Sequence, residues 1–391
     1  MTARVFFYVQ HLLGIGHLRR AAALARALAA NGFDVLLVSG GAPVEGLAAG
    51  LAQGGVRLHQ LPPLRAADDT LRDLAQPDGT PVDAAFEAAR RRLLLALLRA
   101  EQPDILITEQ FPFGRTRLRF ELLPLIEAAH ALPRRPLVAC SVRDVVRRTR
   151  AERVAETERL VMDWFDAVLI HADPRLVRFE DSFAGWSRIA PRAHYTGYVS
   201  EADTVPSDEG AVGCGEVIVS AGGGAVGMPL LAAAIAARPA TMLADRRWRL
   251  LVGENLAAAD RAALRAVPGV VIEPARPDFQ VLLASATLSI SQAGYNTVID
   301  VLRFADRAVL VPFGSARETE QADRAAVLAK RGMVSVVPPG ALSPSSLASA
   351  VDEAMTGPSL RSFPPCNADG GPATAALLRR LLTERRGHPH G

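Results

Sequence analysis

Short apolar runs alternate with helical stretches along this chain, and the alternation starts over near its middle. The runs at 5–9, 35–38, 56–61, 105–108, 137–140 and 168–170 are rich in Val, Ile, Leu and Phe. Several are separated by Ala/Leu/Arg segments of helical period, such as 18–30 and 86–100. A second set follows at 217–219, 250–252, 270–272, 288–290, 309–311 and 334–337. Strands this short and apolar are buried on both faces, and helices between them imply parallel sheets. The sequence therefore predicts an α/β protein of two Rossmann-like, doubly wound parallel sheets. The segment 200–215, rich in Pro, Gly, Ser and acid, is a natural linker. This divides the chain into 1–204 and 205–372, with a last helical stretch in 373–391 free to pack back on the first domain. The total of 391 residues suits two such domains. In open α/β sheets ligands bind beyond the carboxyl ends of the strands, so two sheets facing each other would form an interdomain cleft.

Composition excludes several classes. The net charge is +3, and no long basic run accompanies it, which argues against nucleic acid as a partner. Lys330 is the only lysine; arginine carries the remaining positive charge, as expected of genome composition. Cys140, Cys214 and Cys366 are scattered without disulfide or zinc spacing, which fits a reducing cytoplasm. The apolar run 5–9 is too short for a signal peptide, and nothing approaches the roughly 18 apolar residues of a membrane span. Any membrane contact would be peripheral.

Each set opens with strand, glycine-rich turn and helix: VFFYVQHLLGIGHLRR in the first and EVIVSAGGGAVGMP in the second. Such turns aim backbone N–H groups and a helix N-terminus at an anion. Gly222, Gly224 and Gly227 satisfy G-x-G-x-x-G, but a dinucleotide site also needs an acid at the end of the next strand. In the first half that strand ends Val38-Ser39-Gly40, and the turn there has Gly14, Gly16 and then Arg19. In the second half Glu254 is merely permissive. A nicotinamide or flavin enzyme is disfavoured, and no cofactor is expected.

The segment SISQAGYNTVIDVL (289–302) carries the most chemistry. A strand ends at Ser291, a polar turn runs from Gln292 to Asn296, and a helix is expected near Thr297 with Asp300 on its first turn. Exposed N–H groups and the positive helix end suit a diphosphate, and Asp300 suits a ribose diol. The alternative is a plain N-cap by Asn296 or Thr297 with Asp300 as capping-box acid. Next, LVPFGSARETEQADR (310–324) places Glu320 and Gln321 at a second loop-to-helix junction, where acid and amide together can grip sugar hydroxyls.

The SQAGYNT turn, the acid three residues on, the strand ending VPF and the following Glu-Gln resemble the donor region of GT-B glycosyltransferases. The resemblance is to the MurG-like group with a glycosyltransferase family 28 C-terminal domain. It implies the GT-B fold and a nucleotide-diphosphate sugar as partner, with uridine the favoured base. It also implies that Asp300 holds the ribose. Gly222, Gly223 and Gly224, with Ser291, Gly294, Tyr295, Asn296 and Thr297, would hold the diphosphate, and Glu320 and Gln321 the donor sugar. The pair here is Glu-Gln where the family has Gln-Gln, and its loop is one residue longer.

LGIGHLRR (13–20) is similar to the N-terminal Gly-x-Gly-His loop of the same superfamily. The resemblance puts Gly14 and Gly16 in a phosphate or acceptor loop and makes His17 the base for an acceptor hydroxyl. Imidazole has the right intrinsic pKa, and a helix N-terminus would keep it neutral. His11 is the weaker candidate. A base needs an orienting group; Glu109, just past a strand end, is the first choice and Asp144 the rival. Arg115, Arg117, Arg119, Arg143, Arg147, Arg148 and Arg150 are either a basic acceptor face or a solvated one. No Asp-x-Asp metal element is present, so metal independence is expected. The resemblance thus leads to the expectation of an inverting glycosyltransferase acting on an unidentified small-molecule, glycan or lipid-linked acceptor. A nucleotide-sugar hydrolase, which the G-x-G-H-x-x-R turn also resembles, an epimerase and a non-catalytic nucleotide-sugar-binding protein are the alternatives.

Overall fold

The computed structural model describes residues 2–12, 14–67, 73–200, 212–222, 227–253, 256, 258–265, 267–314 and 319–387. In chain order its first part holds β1 (Arg4–Val9), α1 (Gly16–Ala30), β2 (Asp34–Ser39), α2 (Leu47–Gln53), β3 (Val56–Gln60), β4 (Arg65–Ala66), β5 (Leu74–Ala75), α3 (Ala84–Glu101), β6 (Ile105–Glu109), α4 (Arg119–His130), β7 (Leu137–Val142), α5 (Ala151–Trp164), β8 (Ala167–Ile170), α6 (Trp186–Ile189) and β9 (Ala193–Tyr195). Then follow β10 (Val217–Ser220), α7 (Met228–Ala237), β11 (Trp248–Val252), α8 (Ala258–Ala263), β12 (Val270–Pro274), α9 (Phe279–Ser285), β13 (Leu288–Ser291), α10 (Tyr295–Phe304), β14 (Ala308–Leu310), α11 (Glu320–Lys330), β15 (Ser335–Val336), α12 (Pro344–Thr356) and α13 (Gly370–Gly387).

The chain forms two compact units, one of residues 1–174, 178–201 and 367–391, the other of 175–177 and 202–366. Most of the linker segment read from the sequence, 201–211, lies outside the described residues. In the first unit seven strands run in the order β3-β2-β1-β6-β7-β8-β9, with every pairing parallel. Val5, Phe7 and Val9 join one core with Leu24 and Leu28 of α1 and Leu378 of α13, while Phe6 and Tyr8 point to the other face and are equally buried. A strand covered on both sides has no room for polar alternation, which is why β1 reads as a continuous apolar run. The last helix, α13, packs against α1 and belongs to this unit.

The second unit holds six strands in the order β12-β11-β10-β13-β14-β15, again all parallel. Val217 and Val219 pack with Leu231 of α7 and Leu347 and Val351 of α12, and Ile218 faces Leu282 of α9 on the other side. Both sheets are doubly wound. In the first, the chain leaves β1 toward β2 and β3, then returns to β6 on β1's other flank. In the second, β10 leads to β11 and β12 and the chain returns to β13. Each reversal leaves a crevice at the carboxyl ends of the two central strands, where loops diverge to opposite faces. Those crevices lie after β1 and β6 in one unit and after β10 and β13 in the other.

Candidate active site

In the first unit the loop leaving β1 enters α1 at Gly16, so His17 is the second residue of the helix. Across the switch point β6 ends at Glu109. His17 Nδ1 lies 2.7 Å from Glu109 Oε1. Three residues further along α1, on the same face, Arg20 donates to the same carboxylate oxygen through Nη2. Arg20 and Glu109 are wholly buried, whereas the His17 side chain keeps 17% of its surface exposed and is reachable from outside.

The charges set the protonation states. Burial alone would raise the Glu109 carboxyl, but His17 and Arg20 beside it overcome this and hold it well below the usual carboxylate range. An ionised carboxylate only accepts, so Nδ1 of a neutral His17 carries the proton and donates it to Glu109. Burial lowers the His17 pKa well below 6.5, and the Arg115 and Arg143 guanidiniums lower it further, against the opposing pull of Glu109. The ring is therefore neutral near pH 7, and Nε2 is left as a lone-pair acceptor with no protein partner among the described residues. Burial and two arginines, which the sequence did not reveal, thus lower this pKa.

The loops around this pair rest on a second buried network. Arg90 of α3 binds Glu121 of α4 through Nε at 2.7 Å and Gln10, just past β1, through Nη2 at 2.8 Å. It also reaches the carbonyls of Gly40 and Pro62. Tyr8 donates to Glu121 as well. Such a network, satisfied on several sides, fixes where the chain leaves the sheet.

In the second unit Ser220 ends β10 and Ser291 ends the neighbouring β13. Gly222 holds φ +68° in the left-handed region, and its N–H meets the Ser220 hydroxyl at 3.3 Å. A Cβ on Gly227 would lie 2.3 Å from that of Ala221, so only glycine lets α7 start this close to the strand end. Beyond β13, Gly294 caps α10 and offers no side chain to close the helix end. Arg324 of α11, almost fully buried, donates to the Ala293 carbonyl at 2.8 Å and sits over the Tyr295 ring, fixing this turn from below. Gln280 Nε2 of α9 donates to Asp300 Oδ1 at 3.3 Å and orients that carboxylate.

Several expectations are corrected. The helix begins at Tyr295, two residues earlier than expected, because extended Gly294 serves as N-cap. Asp300 therefore lies on its second turn, and neither Asn296 nor Thr297 caps the helix. Glu109, not Asp144, faces His17; Asp144 is buried and accepts from the adjacent Val145 N–H at 2.9 Å. Gly14 is exposed, with open space where a Cβ would stand, and Gly16 opens α1. Glu320 and Gln321 are the first residues of α11, and Gln321 Oε1 accepts from the Phe313 N–H at 3.0 Å, which ties the helix start to the loop after β14. Gly223, Gly224 and Glu254 lie outside the described residues. Among the described residues no group of three or more His, Cys, Asp or Glu side chains is arranged to hold a metal, and no helix is long and apolar enough to cross a membrane.

Residues 221–365 match the model of the glycosyltransferase family 28 C-terminal domain. The match takes in most of the second unit, which is thus similar to a glycosyltransferase family 28 C-terminal domain. The UDP-N-acetylglucosamine–N-acetylmuramyl-(pentapeptide) pyrophosphoryl-undecaprenol N-acetylglucosamine transferase of Brucella anthropi is 37% identical over 143 residues, covering 35% of this chain and 38% of that protein. The transferase of the same name from Mesorhizobium japonicum is 31% identical over 166 residues, 41% of this chain and 44% of its own length. The chain thus aligns with less than half the length of these curated relatives. Among solved structures, the calicheamicin glycosyltransferase superposes with a TM-score of 0.62 at 16% identity, covering 99% of this chain and 98% of the other. Acinetobacter baumannii MurG gives 0.60 at 16% identity, with 97% and 99% covered. These likenesses establish the GT-B fold. The family 28 match begins at Ala221 and takes in Gly222, the Ser291–Thr297 turn, Asp300, Glu320 and Gln321.

Sequence reasoning missed Arg20, Arg324 and Gln280. For Arg20 the signal was present, since it stands three residues after His17 on one helix face.

Proposed function

We propose that this protein transfers a sugar from a nucleotide-diphosphate donor, a uridine nucleotide by preference, to an acceptor hydroxyl. The observation that carries this reading is the His17–Glu109 pair, which leaves a neutral imidazole with Nε2 as acceptor at a switch point. The family 28-like domain supplies the donor side, and the curated relatives carry UDP-N-acetylglucosamine in their names. Asp300 takes the ribose hydroxyls, the turns at Gly222–Gly224 and Ser291–Thr297 take the diphosphate, and Glu320 and Gln321 take the sugar.

The reaction is a single displacement. The acceptor O–H gives its proton to His17 Nε2. Its oxygen bonds to the anomeric carbon as the bond from that carbon to the β-phosphate oxygen breaks, and the nucleoside diphosphate leaves with the electron pair. One displacement inverts the anomeric centre. Backbone N–H groups and the α10 N-terminus offset the charge on the leaving diphosphate, which is the role a metal plays elsewhere, so turnover is metal-independent. General-base assistance of this kind is worth about 10²–10⁴-fold in rate.

The experiment is product analysis with a panel of UDP-, GDP-, ADP- and dTDP-sugars, with and without candidate acceptor alcohols. Glycoside of inverted configuration, formed equally in the presence of chelator, supports the reading. Free sugar as the only product assigns the His17 pair to water activation instead. Loss of turnover on chelation, restored by a divalent ion, removes the metal-independent mechanism.

A further inference from the structure

The Asp300 carboxylate is held by a neighbouring helix. Two helices of the second unit start at the carboxyl edge of its sheet, α9 after β12 and α10 after β13. Gln280 is the second residue of α9, and its Nε2 donates to Asp300 Oδ1 of α10 at 3.3 Å. Both residues are half-buried, so a ligand can reach them. The helix that carries Gln280 is firmly seated. Leu282 and Leu283 are wholly buried, Leu282 clusters with Ile218 of β10 and Leu251 of β11, and Phe279 packs on the same cluster. At the helix start Arg276 clasps the Asp278 carboxylate through Nε at 2.8 Å and Nη2 at 2.6 Å. The Val281 and Leu282 N–H groups bond the Asp278 carbonyl at 3.0 and 3.2 Å. Gln280 thus reaches Asp300 from a fixed base.

We propose that Gln280 is a positioning residue that makes this site select ribonucleoside over 2′-deoxyribonucleoside diphosphates. The proposal rests on Asp300 as the ribose carboxylate. An ionised carboxylate has two oxygens with about four lone-pair sites, so Oδ1 can accept from Gln280 and from a hydroxyl together. A carboxylate free to turn about its Cβ–Cγ bond serves one hydroxyl as well as two, and a deoxyribose then loses little. Held by Gln280, the carboxylate plane is set and its oxygens point in fixed directions. The cis diol of ribose, two O–H donors on adjacent carbons, meets both oxygens at once. A lone 3′-hydroxyl meets one and leaves the other without its donor, and a site built for a hydroxyl discriminates against the analogue that lacks it. An amide at position 280 suits this role, because it donates to the carboxylate without setting a second negative charge against it.

The test reads binding and needs no turnover. Calorimetry on the full chain compares UDP, GDP and ADP, each with its 2′-deoxy form, in wild type, Q280A, Q280E, D300A and Q280A/D300A. Wild type should bind the preferred ribonucleotide about tenfold or more tighter than its deoxy form, the worth of a hydrogen bond to a charged group. Q280A should lose most of that ratio through weaker binding of the ribonucleotide, while the deoxy form binds as it does to wild type. Q280E keeps the size of the side chain but removes the donor; it should lose the ratio too, and it answers the question if Q280A does not fold. In the D300A background Q280A should change nothing further, since Gln280 acts through that carboxylate. Equal affinity of wild type for both forms, a ratio kept in Q280A and Q280E, or an undiminished effect of Q280A in D300A would overturn the proposal. Weak binding in D300A with the ratio intact in Q280A removes the role of Gln280 alone. Binding to D300A as tight as to wild type, or no binding of any of the three nucleotides, removes the ribose assignment on which it rests.

Discussion

His17 Nδ1 and Glu109 Oε1 stand 2.7 Å apart although 92 residues separate them in the chain. The doubly wound sheet brings them together, because β1 and β6 are neighbours and both end at the same switch point. The pairing fixes the tautomer of His17 and hence which nitrogen can accept a proton.

The pH dependence of kcat/KM follows from the same charges. His17 acts only when neutral, and its pKa is held well below 6.5. The acid limb of the profile is therefore expected below pH 6.5. Arg115 lowers this pKa and Glu109 raises it, so R115Q should move the limb to higher pH and E109Q to lower pH. Limbs that moved in the same direction, or stayed in place, would show that another group governs the profile.

Glu109 and Arg20 are wholly buried partners, and removing one strands the other's charge. E109Q and R20M should each destabilise the protein by about 3–5 kcal/mol, read as a lower urea midpoint. The double variant R20M/E109Q should lose less than the sum of the two, because no lone charge remains. Strict additivity would mean that the pair does not act as a unit.

On the donor side, G227A forces a Cβ to within 2.3 Å of that of Ala221 and must displace the turn after β10. Its expected cost is about 1–3 kcal/mol of stability, together with weaker binding of nucleoside diphosphates. D300A removes the carboxylate assigned to the ribose and should weaken UDP binding about 10- to 100-fold in calorimetry. UDP affinity unchanged in D300A would place the nucleotide elsewhere.

The two sheets could be read from the sequence because the strand that opens each of them, β1 and β10, is apolar on both faces. What could not be read has particular causes. Strand β9, Ala193–Tyr195, is three residues long and only half-buried, so it carries no apolar signature. The start of α10 was misplaced because its cap is Gly294, which acts through backbone shape alone, while nearby Asn296 and Thr297 look like caps. Arg324 holds Ala293 across 31 residues, and Arg90 holds Glu121 across another 31; arginine spacing does not reveal such partners in a chain whose positive charge is nearly all arginine.

The most direct measurement is a comparison of H17A with wild type in two assays, UDP affinity by calorimetry and the rate of sugar transfer from the donor that the panel selects. UDP should bind H17A as tightly as wild type while transfer falls by about 10²–10⁴-fold. A variant that transfers sugar at the wild-type rate would remove His17 from the chemistry and, with it, the mechanism built on its pairing with Glu109.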